Sequence, residues 1–483
     1  MKKILSLILF CLLLATVRGN EIDQFIVRDK QAGQQNCTDE VFLRRTFLTL
    51  TARLPQPEKA EQFLNSADPK KRGTLIDELL DSEECAGYFA MHWGDILRIK
   101  SEFPSNLWPN GVQAYNRWVF EQIKNNTPYD QFVRELLLSK GSNFRAPAVN
   151  FYRAFLSRTP KNIYQNIGLL FLGNRNSKDE GQCCFSQVRY KNTKEWKEEI
   201  VYTDLSITPP LPFAILPGNQ KIELKPGEDW RNAYVNWLTG KENKRFAGLM
   251  ANRLWYWTFG KGIVQEPDDW GKHNPPSNPA LLNFITDRFI ASGYDVKALM
   301  RLILSSDAYQ STASPQGIYQ AQRLPAEVIV DALADVTGSS DVYRSRVPEP
   351  FTFYPEGTRS VNLGDATVSS PALELFGRAS RDVSLESQRI NKIAPRQLLY
   401  LMNSSELEKR IQSSNKLNDI CLKHRDIPGV CRAITLMTLS RFPTPGEVSR
   451  FKTYAKENGL SPRKLASEIL WTQINSTEFL FNH

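Results

Sequence analysis

Apolar residues recur at helical spacing through most of the chain. Within residues 38–172, Leu75 and Leu79 lie one turn apart, with further apolar residues beside them, a period typical of amphipathic helices. The same period returns in residues 231–340 and 393–483. This pattern predicts a mainly α-helical protein whose helices are grouped in two regions.

The segment between the helical regions has a different pattern. Residues 193–204 alternate apolar and polar side chains, and Phe213 to Leu216 is followed by Pro217-Gly218-Asn219 and a second short run, Lys221 to Leu224. Short runs joined by Pro, Gly and Asn are typical of β-hairpins. The sequence therefore predicts a mainly α fold, with two helical domains and a small β-hairpin element between them. The predicted divisions are a signal peptide in 1–19, an N-terminal helical domain in 20–184, a β linker element in 185–228 and a C-terminal helical domain in 229–483.

One ten-residue pattern occurs near both ends of the chain. Leu48 to Pro57 reads LTLTARLPQP, and Leu436 to Pro445 reads LMTLSRFPTP. The residue before a proline disfavours helical backbone, whereas proline itself suits the first turn of a helix. Each copy therefore predicts one helix that ends before the first proline and another that starts at the second.

A second repeated pattern marks helix starts. Ser82, Ser306 and Ser476 each follow an apolar helix end and precede acidic residues. A serine side chain can accept a hydrogen bond from a free N–H of the first turn, and acidic residues suit that end of a helix. We expect each serine to cap the helix that follows it.

The first residues have the features of a secretory signal. Lys2 and Lys3 precede an almost unbroken apolar run from Ile4 to Val17, and the small residue Gly19 suits cleavage. The run is shorter than the roughly 20 residues of a comfortable membrane crossing, and no later stretch is apolar enough to span a membrane. We expect a cleaved signal and an exported protein, either periplasmic or at the cell surface or secreted. A retained N-terminal anchor is the alternative.

Charge argues against a nucleic-acid partner. The 483 residues carry a net charge of +9, and removal of Lys2, Lys3 and Arg18 with the signal lowers it to +6. Nucleic-acid readers usually concentrate basic residues on one face. The longest basic block here is a short piece such as Lys70 to Arg72, so we expect a surface of mixed charge and no nucleic-acid binding.

Six cysteines remain after the signal: Cys37, Cys85, Cys183, Cys184, Cys421 and Cys431. An even number in an exported chain favours disulfides, and the predicted local pair is Cys421 with Cys431. The vicinal Cys183 and Cys184 allow a strained or redox-active pair, although pairing elsewhere or free thiols are preferred. No metal site is expected, since C-x-x-C spacing is absent and histidine is scarce.

A Pro-rich loop contains the densest group of ionisable residues. Glu266, Asp268 and Asp269 follow the aromatic residues Trp255 to Trp257, and His273 comes shortly after. Paired carboxylates beside aromatic residues are typical of acid–base chemistry on sugars, and carboxylate oxygens also bind Ca²⁺. The preferred interpretation is structural, with Asp268 or Asp269 capping a helix or pairing with Arg253.

A second polar cluster follows Phe376-Gly377. Arg378, Arg381 and Arg389 are candidate ligand-binding residues together with His273, and Glu386 is a candidate catalytic carboxylate together with Glu266, Asp268 and Asp269. Buried bracing between arginines and carboxylates is the preferred alternative.

One histidine is assigned to the core. His92 lies one helical turn before Asp95, and we expect a satisfied interface histidine instead of a catalytic one.

Longer motifs resemble a known pair of domains. The first half contains FLRRTFLTLTARLP from Phe42, HWGD from His92 and NTPYDQFVRELL from Asn126. These resemble a planctomycete-type cytochrome-associated domain of unknown function. NRLW from Asn252 and RLPAE from Arg323 resemble its usual C-terminal partner domain of unknown function. The resemblance covers nearly the whole mature chain and implies an exported bacterial protein without a settled activity.

The chain departs from that family at the haem motif. Many members carry C-x-x-C-H directly after the Phe-Leu-Gly stretch, which here ends at Gly173. This chain has Cys183-Cys184 instead and no histidine between residues 93 and 272. Because covalent haem needs two thioethers and an adjacent histidine ligand, we expect no covalent haem and no other cofactor.

Three functions are compatible with these features. The first is a non-enzymatic scaffold or partner of periplasmic or surface redox or polysaccharide-processing systems. The second is a carboxylate-dependent enzyme that acts on polysaccharide, and the third is a non-covalent haem or metal protein. The partner would be a cell-surface polysaccharide or a periplasmic redox protein. An enzyme should bring the loop carboxylates and Glu386 to one open cleft, whereas a scaffold should bury or pair them.

Overall fold

A computed structural model describes residues 20–26, 36–102, 104–174, 181–315, 317–347 and 352–483. The predicted signal peptide of residues 1–19 lies outside the described residues. The described chain is mainly α-helical, and its sheets are small and antiparallel, with a β element between the two helical regions. The predicted fold class is confirmed.

The N-terminal region consists of short helices. They are α1 (Asp39–Thr51), α2 (Pro57–Asn65), α3 (Lys71–Leu80), α4 (Glu83–Ile96), α5 (Pro109–Lys124), α6 (Tyr129–Leu138), α7 (Asn150–Arg153) and α8 (Pro160–Leu172). A 3₁₀ turn, Glu21–Phe25, precedes them, and Asn20 caps that turn through a reciprocal hydrogen-bonded box with Asp23.

The C-terminal region holds the remaining helices. They are α9 (Arg231–Leu238), α10 (Lys244–Phe259), α11 (Pro279–Ala291), α12 (Val296–Leu304), α13 (Asp307–Gln310), α14 (Ala326–Thr337), α15 (Pro371–Leu375), α16 (Pro395–Asn403), α17 (Ser405–Gln412), α18 (Asn415–Lys423), α19 (Ile427–Leu439), α20 (Pro445–Glu457), α21 (Pro462–Ile474) and α22 (Thr477–Leu480).

Small antiparallel sheets accompany the helices in the ranges that the structure describes. β1 (Gly141–Ser142) pairs with β3 (Glu199–Thr203), which also pairs with β2 (Val188–Asn192). The predicted hairpin is present as β4 (Phe213–Leu216) and β5 (Gln220–Glu223), joined at Gly218 and Asn219 with positive φ angles. The last sheet pairs β6 (Gln322–Arg323) with β7 (Phe481–Asn482) and so fastens the chain end to the C-terminal region.

Both repeated patterns have the predicted structure. α1 and α19 each end at a left-handed residue, Ala52 and Ser440, and α2 and α20 begin at the second proline of each pattern. The side chains of Ser82, Ser306 and Ser476 accept hydrogen bonds from backbone N–H groups three residues later. Local sequence was sufficient for these features because capping depends on a few neighbouring residues.

Two hydrophobic cores run through the described residues. The first consists of residues between Ile22 and Tyr319 together with Leu436, and it includes side chains from both helical regions. The second holds most of the apolar residues after 323 and also contains Leu48 and Tyr88 from α1 and α4. The N-terminal helices therefore contribute to both cores. The predicted division at 185–228 stays a sequence-based prediction.

The predicted disulfide is not formed. Cys421 and Cys431 are free thiols, as are the other cysteines of the described residues. The Cys421 thiol on α18 donates to the carbonyl oxygen of Pro462 at 3.7 Å, whereas Cys431 on α19 is fully buried in the second core. The two side chains are thus committed to different surroundings.

Candidate functional site

The Pro-rich loop does not present its carboxylates together. Asp268 is buried, and its Oδ1 accepts hydrogen bonds from Nε and Nη2 of Arg253 at 3.1 and 2.7 Å. Its Oδ2 accepts the backbone N–H of Glu386 at 2.7 Å. Asp268 therefore fixes the segment around Glu386 to α10, and its oxygens are engaged within the protein.

The other loop residues lie elsewhere. Glu266 is exposed, and the His273 ring, 72 % exposed, lies 3.3 Å from Asp269. Asp269 and His273 line a cavity of about 1050 Å³ together with Trp270. Glu386 lines a different cavity, so the predicted group of four carboxylates divides between separate surroundings.

The predicted arginine cluster is a buried ionic network. Asp95 on α4 accepts from Nε of Arg381 at 2.8 Å and from Nε of Arg389 at 2.6 Å. Glu327 on α14 accepts from Nη1 and Nη2 of Arg389 at 2.7 and 3.1 Å, and Nε of Arg378 lies 3.4 Å from it. Although burial alone raises the pKa of Glu327, Arg389 and Arg378 hold it at about 2. Arg381 and Arg389 thus brace α4 to the C-terminal region, and Arg378 joins the network through Glu327.

Glu386 has surroundings that favour its protonated form. Its side chain is almost completely buried, and Nε1 of Trp257 donates to Oε1 at 2.6 Å. Burial, followed by the negative charges of Asp268 and Asp95, raises the pKa of Glu386 from 4.5 to about 8. This carboxyl is therefore an acid that keeps its proton at neutral pH.

His92 lies beside this carboxyl in the opposite state. Its Nδ1 is 4.0 Å from Oε2 of Glu386, and its ring stacks on Trp257 with centroids 4.8 Å apart. Burial, followed by the positive charge of Arg389, lowers the pKa of His92 from 6.5 to about 3. A protonated carboxyl and a neutral imidazole thus stand side by side, which reverses their ordinary order of acidity.

Both groups line a cavity of about 480 Å³. Its walls come from distant parts of the chain, namely α1 and α4, the end of α10, β6, β7 and residues 386–393. Arg389 also lines it. The other charged lining residues are Lys261, Arg323 and Lys392, and Glu386 is the acidic one.

Several buried polar atoms around this cavity have no hydrogen-bond partner among the described residues. They are Nδ1 of His92, Nε2 of Gln322, Nε and Nη1 of Arg323, and Oδ1 of Asn482. All four side chains line the cavity. Because a buried polar atom without a partner costs free energy, these residues retain hydrogen-bonding capacity that the described protein does not use.

The sequence indicates only part of this site. Glu386 was among the predicted residues, but His92 was assigned as a satisfied interface histidine, which its partnerless Nδ1 contradicts. Arg323 and Asn482 were missed as site residues. Residues 323 and 482 meet only because β6 pairs with β7, and no local pattern indicates that pairing.

Two family models match the chain in succession. The first is PSCyt2, a protein of unknown function (DUF1549), which matches residues 21–208. The second is PSD1, a protein of unknown function (DUF1553), which matches residues 230–455. The chain belongs to the proteins that join these two domains. No curated protein and no solved structure matches the chain.

The DUF1549 and DUF1553 domains build the cavity together. His92 comes from the first domain, whereas Trp257, Arg323 and Glu386 come from the second. Asn482 follows the second match. The ion pairs of Asp95 with Arg381 and Arg389 also cross from one domain to the other. Neither domain alone contains both His92 and Glu386.

The cysteine pair does not fit covalent haem. Cys184 is fully buried in the 3₁₀ turn Gly181–Phe185, and a hydrogen bond with Cys183, then burial, raise the pKa of its thiol. Phe185, not a histidine, directly follows the pair. Within the described ranges, no three His, Cys, Asp or Glu side chains form a group suited to a metal ion. None of the helices in those ranges has the length and apolarity that a bilayer crossing requires.

Proposed function

We propose that the protein is an enzyme whose active site is the cavity between its two domains, with Glu386 as general acid and His92 as general base. The observation that carries this proposal is the set of partnerless polar atoms around an acid–base pair in one cavity. Proton transfer by positioned side chains is a common source of catalysis. The proposed substrate is a polysaccharide.

The geometry favours a particular class of bond cleavage. Hydrolysis by two carboxylates requires an ionised carboxylate beside the acid, but Glu386 is the acidic lining residue of this cavity. The nearby carboxylates of Asp95 and Asp268 are held by arginines. An acid and a base on one wall are instead suited to elimination, in which the base removes a proton and the acid protonates the departing oxygen.

A non-enzymatic scaffold or partner of redox or polysaccharide-processing systems is the second candidate. It is favoured by Arg378, Arg381 and Arg389, whose almost fully buried side chains form ion pairs within the protein. A scaffold does not require buried polar atoms without hydrogen-bond partners in a cavity. The state of His92 therefore separates the two candidates.

Replacing His92 by phenylalanine is expected to stabilise the protein by about 1–2 kcal/mol at neutral pH. The change removes a buried polar atom without a partner and keeps the ring packing against Trp257. Catalytic side chains often reduce stability in this way. Urea unfolding measures the difference, and any catalytic activity should be lost in the same variant.

The pH dependence of stability gives the His92→Phe test an expected direction. The folded protein keeps His92 neutral down to a pKa of about 3, whereas the unfolded chain protonates it below about 6.5. Wild-type stability from this group is therefore lost as pH falls from 6.5 towards 3, and the advantage of His92→Phe should grow over that range. His273→Phe, on an exposed ring, is the control and should change little. Destabilisation by His92→Phe at every pH would favour the scaffold.

We also propose that the protein is exported and cleaved after Gly19. Support comes from Asn20 and the residues after it, which are docked on the fold: Ile22 is fully buried, and Asp23 accepts the backbone N–H groups of Asp307 and Ala308 at 3.1 and 3.2 Å. Expression with the native leader should yield a periplasmic or secreted chain that begins at Asn20. Mass spectrometry of the intact protein tests this, and a chain retaining residues 1–19 in a membrane fraction would support the anchor instead.

A further inference from the structure

Arg323 is a buried cation that the fold does not neutralise. It is 5 % exposed, and its Nη2 donates to the carbonyl oxygens of Phe376 and Ile390 at 2.7 and 2.6 Å. Its Nε and Nη1 have no partner among the described residues. Glu327, whose charge acts on it, is already held by Arg378 and Arg389. Nη2 of the guanidinium is thus engaged within the protein, whereas the Nε and Nη1 donors, which point to opposite sides of the group, lack acceptors.

The cavity as a whole favours an anionic ligand. Lys261 and Lys392 line it with Arg323, and both lysines are exposed. The raised pKa of Glu386 favours its uncharged form at neutral pH, and Arg389 is paired with Asp95 and Glu327. Three cations without an ionised carboxylate in the lining attract and hold a negative group.

Carboxamides make up another part of the wall. Gln320, Gln322, Asn391 and Asn482 all line the cavity, and each carboxamide offers both donors and an acceptor. Sugar hydroxyl groups likewise donate and accept. A volume of about 480 Å³ lies within the range of small-molecule sites and suits a short saccharide segment.

We propose that the cavity binds a hexuronate unit of an acidic polysaccharide, with the sugar carboxylate accepting a hydrogen bond from a partnerless donor of Arg323 and the hydroxyl groups on the carboxamides. A hydrogen bond from a guanidinium to a carboxylate is charge-assisted and is stronger than one between neutral groups. The inference rests on the proposed function for its chemistry, and it adds the class of substrate.

The carboxylate of the sugar also explains why one acid and one base are sufficient for the elimination. A proton on the carbon next to a carboxylate becomes more acidic when a cation neutralises that carboxylate. His92 then takes the C5 proton, its electron pair forms the C4–C5 double bond, and the C4–O bond breaks. Glu386 gives its proton to the departing oxygen, so atoms and electrons balance without a co-reactant.

The acid and base act from the same face. His92 Nδ1 and Glu386 Oε2 lie 4.0 Å apart on one wall, which suits removal and delivery of the two protons on one side of the sugar ring.

Binding of defined trisaccharides to residues 20–483 tests the inference. The probes are trigalacturonate, trimannuronate and triguluronate, with neutral maltotriose and inorganic sulfate as comparisons, measured by calorimetry at low and high salt. We expect at least one uronate trimer to bind at least about tenfold more tightly than maltotriose and to weaken as salt rises. Equal affinity for maltotriose, or no binding of any uronate, would overturn the inference. Binding of sulfate as tight as that of the uronates would overturn it too.

Three variants assign the binding to this cavity. Lys261→Ala and Lys392→Ala change exposed side chains, so folding should be preserved, and each should weaken uronate binding about fivefold. Arg323→Lys keeps a charge but replaces the planar guanidinium donors by a compact ammonium group, and should weaken binding about tenfold or more. Lys452→Ala, on the exposed side of α20, is the control. Uronate affinity unchanged in all three cavity variants would overturn the inference.

Chemistry separates this inference from the proposed function. Elimination creates a double bond conjugated with the carboxylate, which ultraviolet absorbance detects in wild-type reactions. If uronate binding depends on Arg323 but no Glu386-dependent cleavage occurs, the proposed ligand is supported and the proposed enzymatic function is wrong. If a neutral glycan is cleaved in a Glu386-dependent reaction but no uronate binds, the proposed enzymatic function is supported and the proposed ligand is wrong.

Discussion

Replacing Glu386 by glutamine is expected to lower catalysis by about 10²–10⁴-fold. Glutamine has nearly the same shape, and its amide oxygen can still accept the hydrogen bond from Nε1 of Trp257. It cannot release a proton to a leaving group. The rate of formation of the unsaturated product measures the effect, and substrate affinity should change much less than turnover.

The same variant has a distinctive pH dependence of stability. In the folded protein Glu386 keeps its proton up to a pKa of about 8, whereas the unfolded chain loses it near 4.5. The folded state therefore binds more protons between these values, and this group makes wild-type stability fall as pH rises, by about 1.4 kcal/mol per pH unit. Below pH 6.5 the opposite effect of His92 offsets this fall, so the net decline should emerge between pH 6.5 and 8.

Glu386→Gln removes the ionisable group, so its stability relative to wild type should increase from pH 4.5 to 8. Urea unfolding at a series of pH values measures this difference. Glu266→Gln, which changes an exposed carboxylate, is the matched control and should show neither effect. A constant stability difference across the series, together with unchanged catalysis, would remove Glu386 from the mechanism.

Replacing Asp95 by asparagine is expected to destabilise the protein by about 3–5 kcal/mol. Asp95 is 1 % exposed and accepts from both Arg381 and Arg389. Its removal leaves three buried arginines with Glu327 as the remaining carboxylate of the network. Breaking a buried ion pair has this magnitude because the surviving charge stays away from water. The midpoint of urea unfolding and its slope give the free energy.

Asp335→Asn is the matched control for this change. Asp335 also pairs with an arginine, Arg359, at 2.9 Å, but its side chain is 26 % exposed. Partly exposed pairs contribute about 1 kcal/mol or less. Comparable losses of unfolding free energy in the two variants would show that burial does not increase the contribution of the network to stability.

The buried network also matters for the site. Asp95 lies one helical turn after His92 on α4, and Arg389 follows Glu386 by three residues. Their ion pair at 2.6 Å therefore sets the position of the imidazole relative to the carboxyl. Because the two members of each pair belong to different domains, the network offers a physical reason for the two domains to occur together.

Sequence patterns were most informative where structure depends on near neighbours. The hairpin at 213–224 was predicted within one residue, and the serine caps and the repeated Arg-x-Pro-x-Pro turns were predicted at their actual positions. The domain pairing was also recognisable from sequence. Helical periodicity, capping and turn formation all depend on residues a few positions apart.

The candidate site depended on contacts between residues far apart in the chain. The sequence placed Glu386 beside the arginines but did not indicate that Asp268 would accept its backbone N–H or that His92 would lie beside its carboxyl. The predicted carboxylates of the Pro-rich loop were assigned to one group because they are adjacent in sequence. The fold separates them, since Asp268 is buried against Arg253 and Glu266 remains exposed.

By itself, the sequence determined the mainly helical fold, the helix boundaries at the repeated turns, the family and the residue types available for chemistry. Only the tertiary structure decided which of those residues meet and in which protonation state. Periodicity reports which face of a helix is apolar, but it does not identify the segment that covers that face. The protonated form of Glu386 and the neutral form of His92 are both favoured by burial under segments that are distant in the sequence. Desolvation of that kind exists only once the chain has folded.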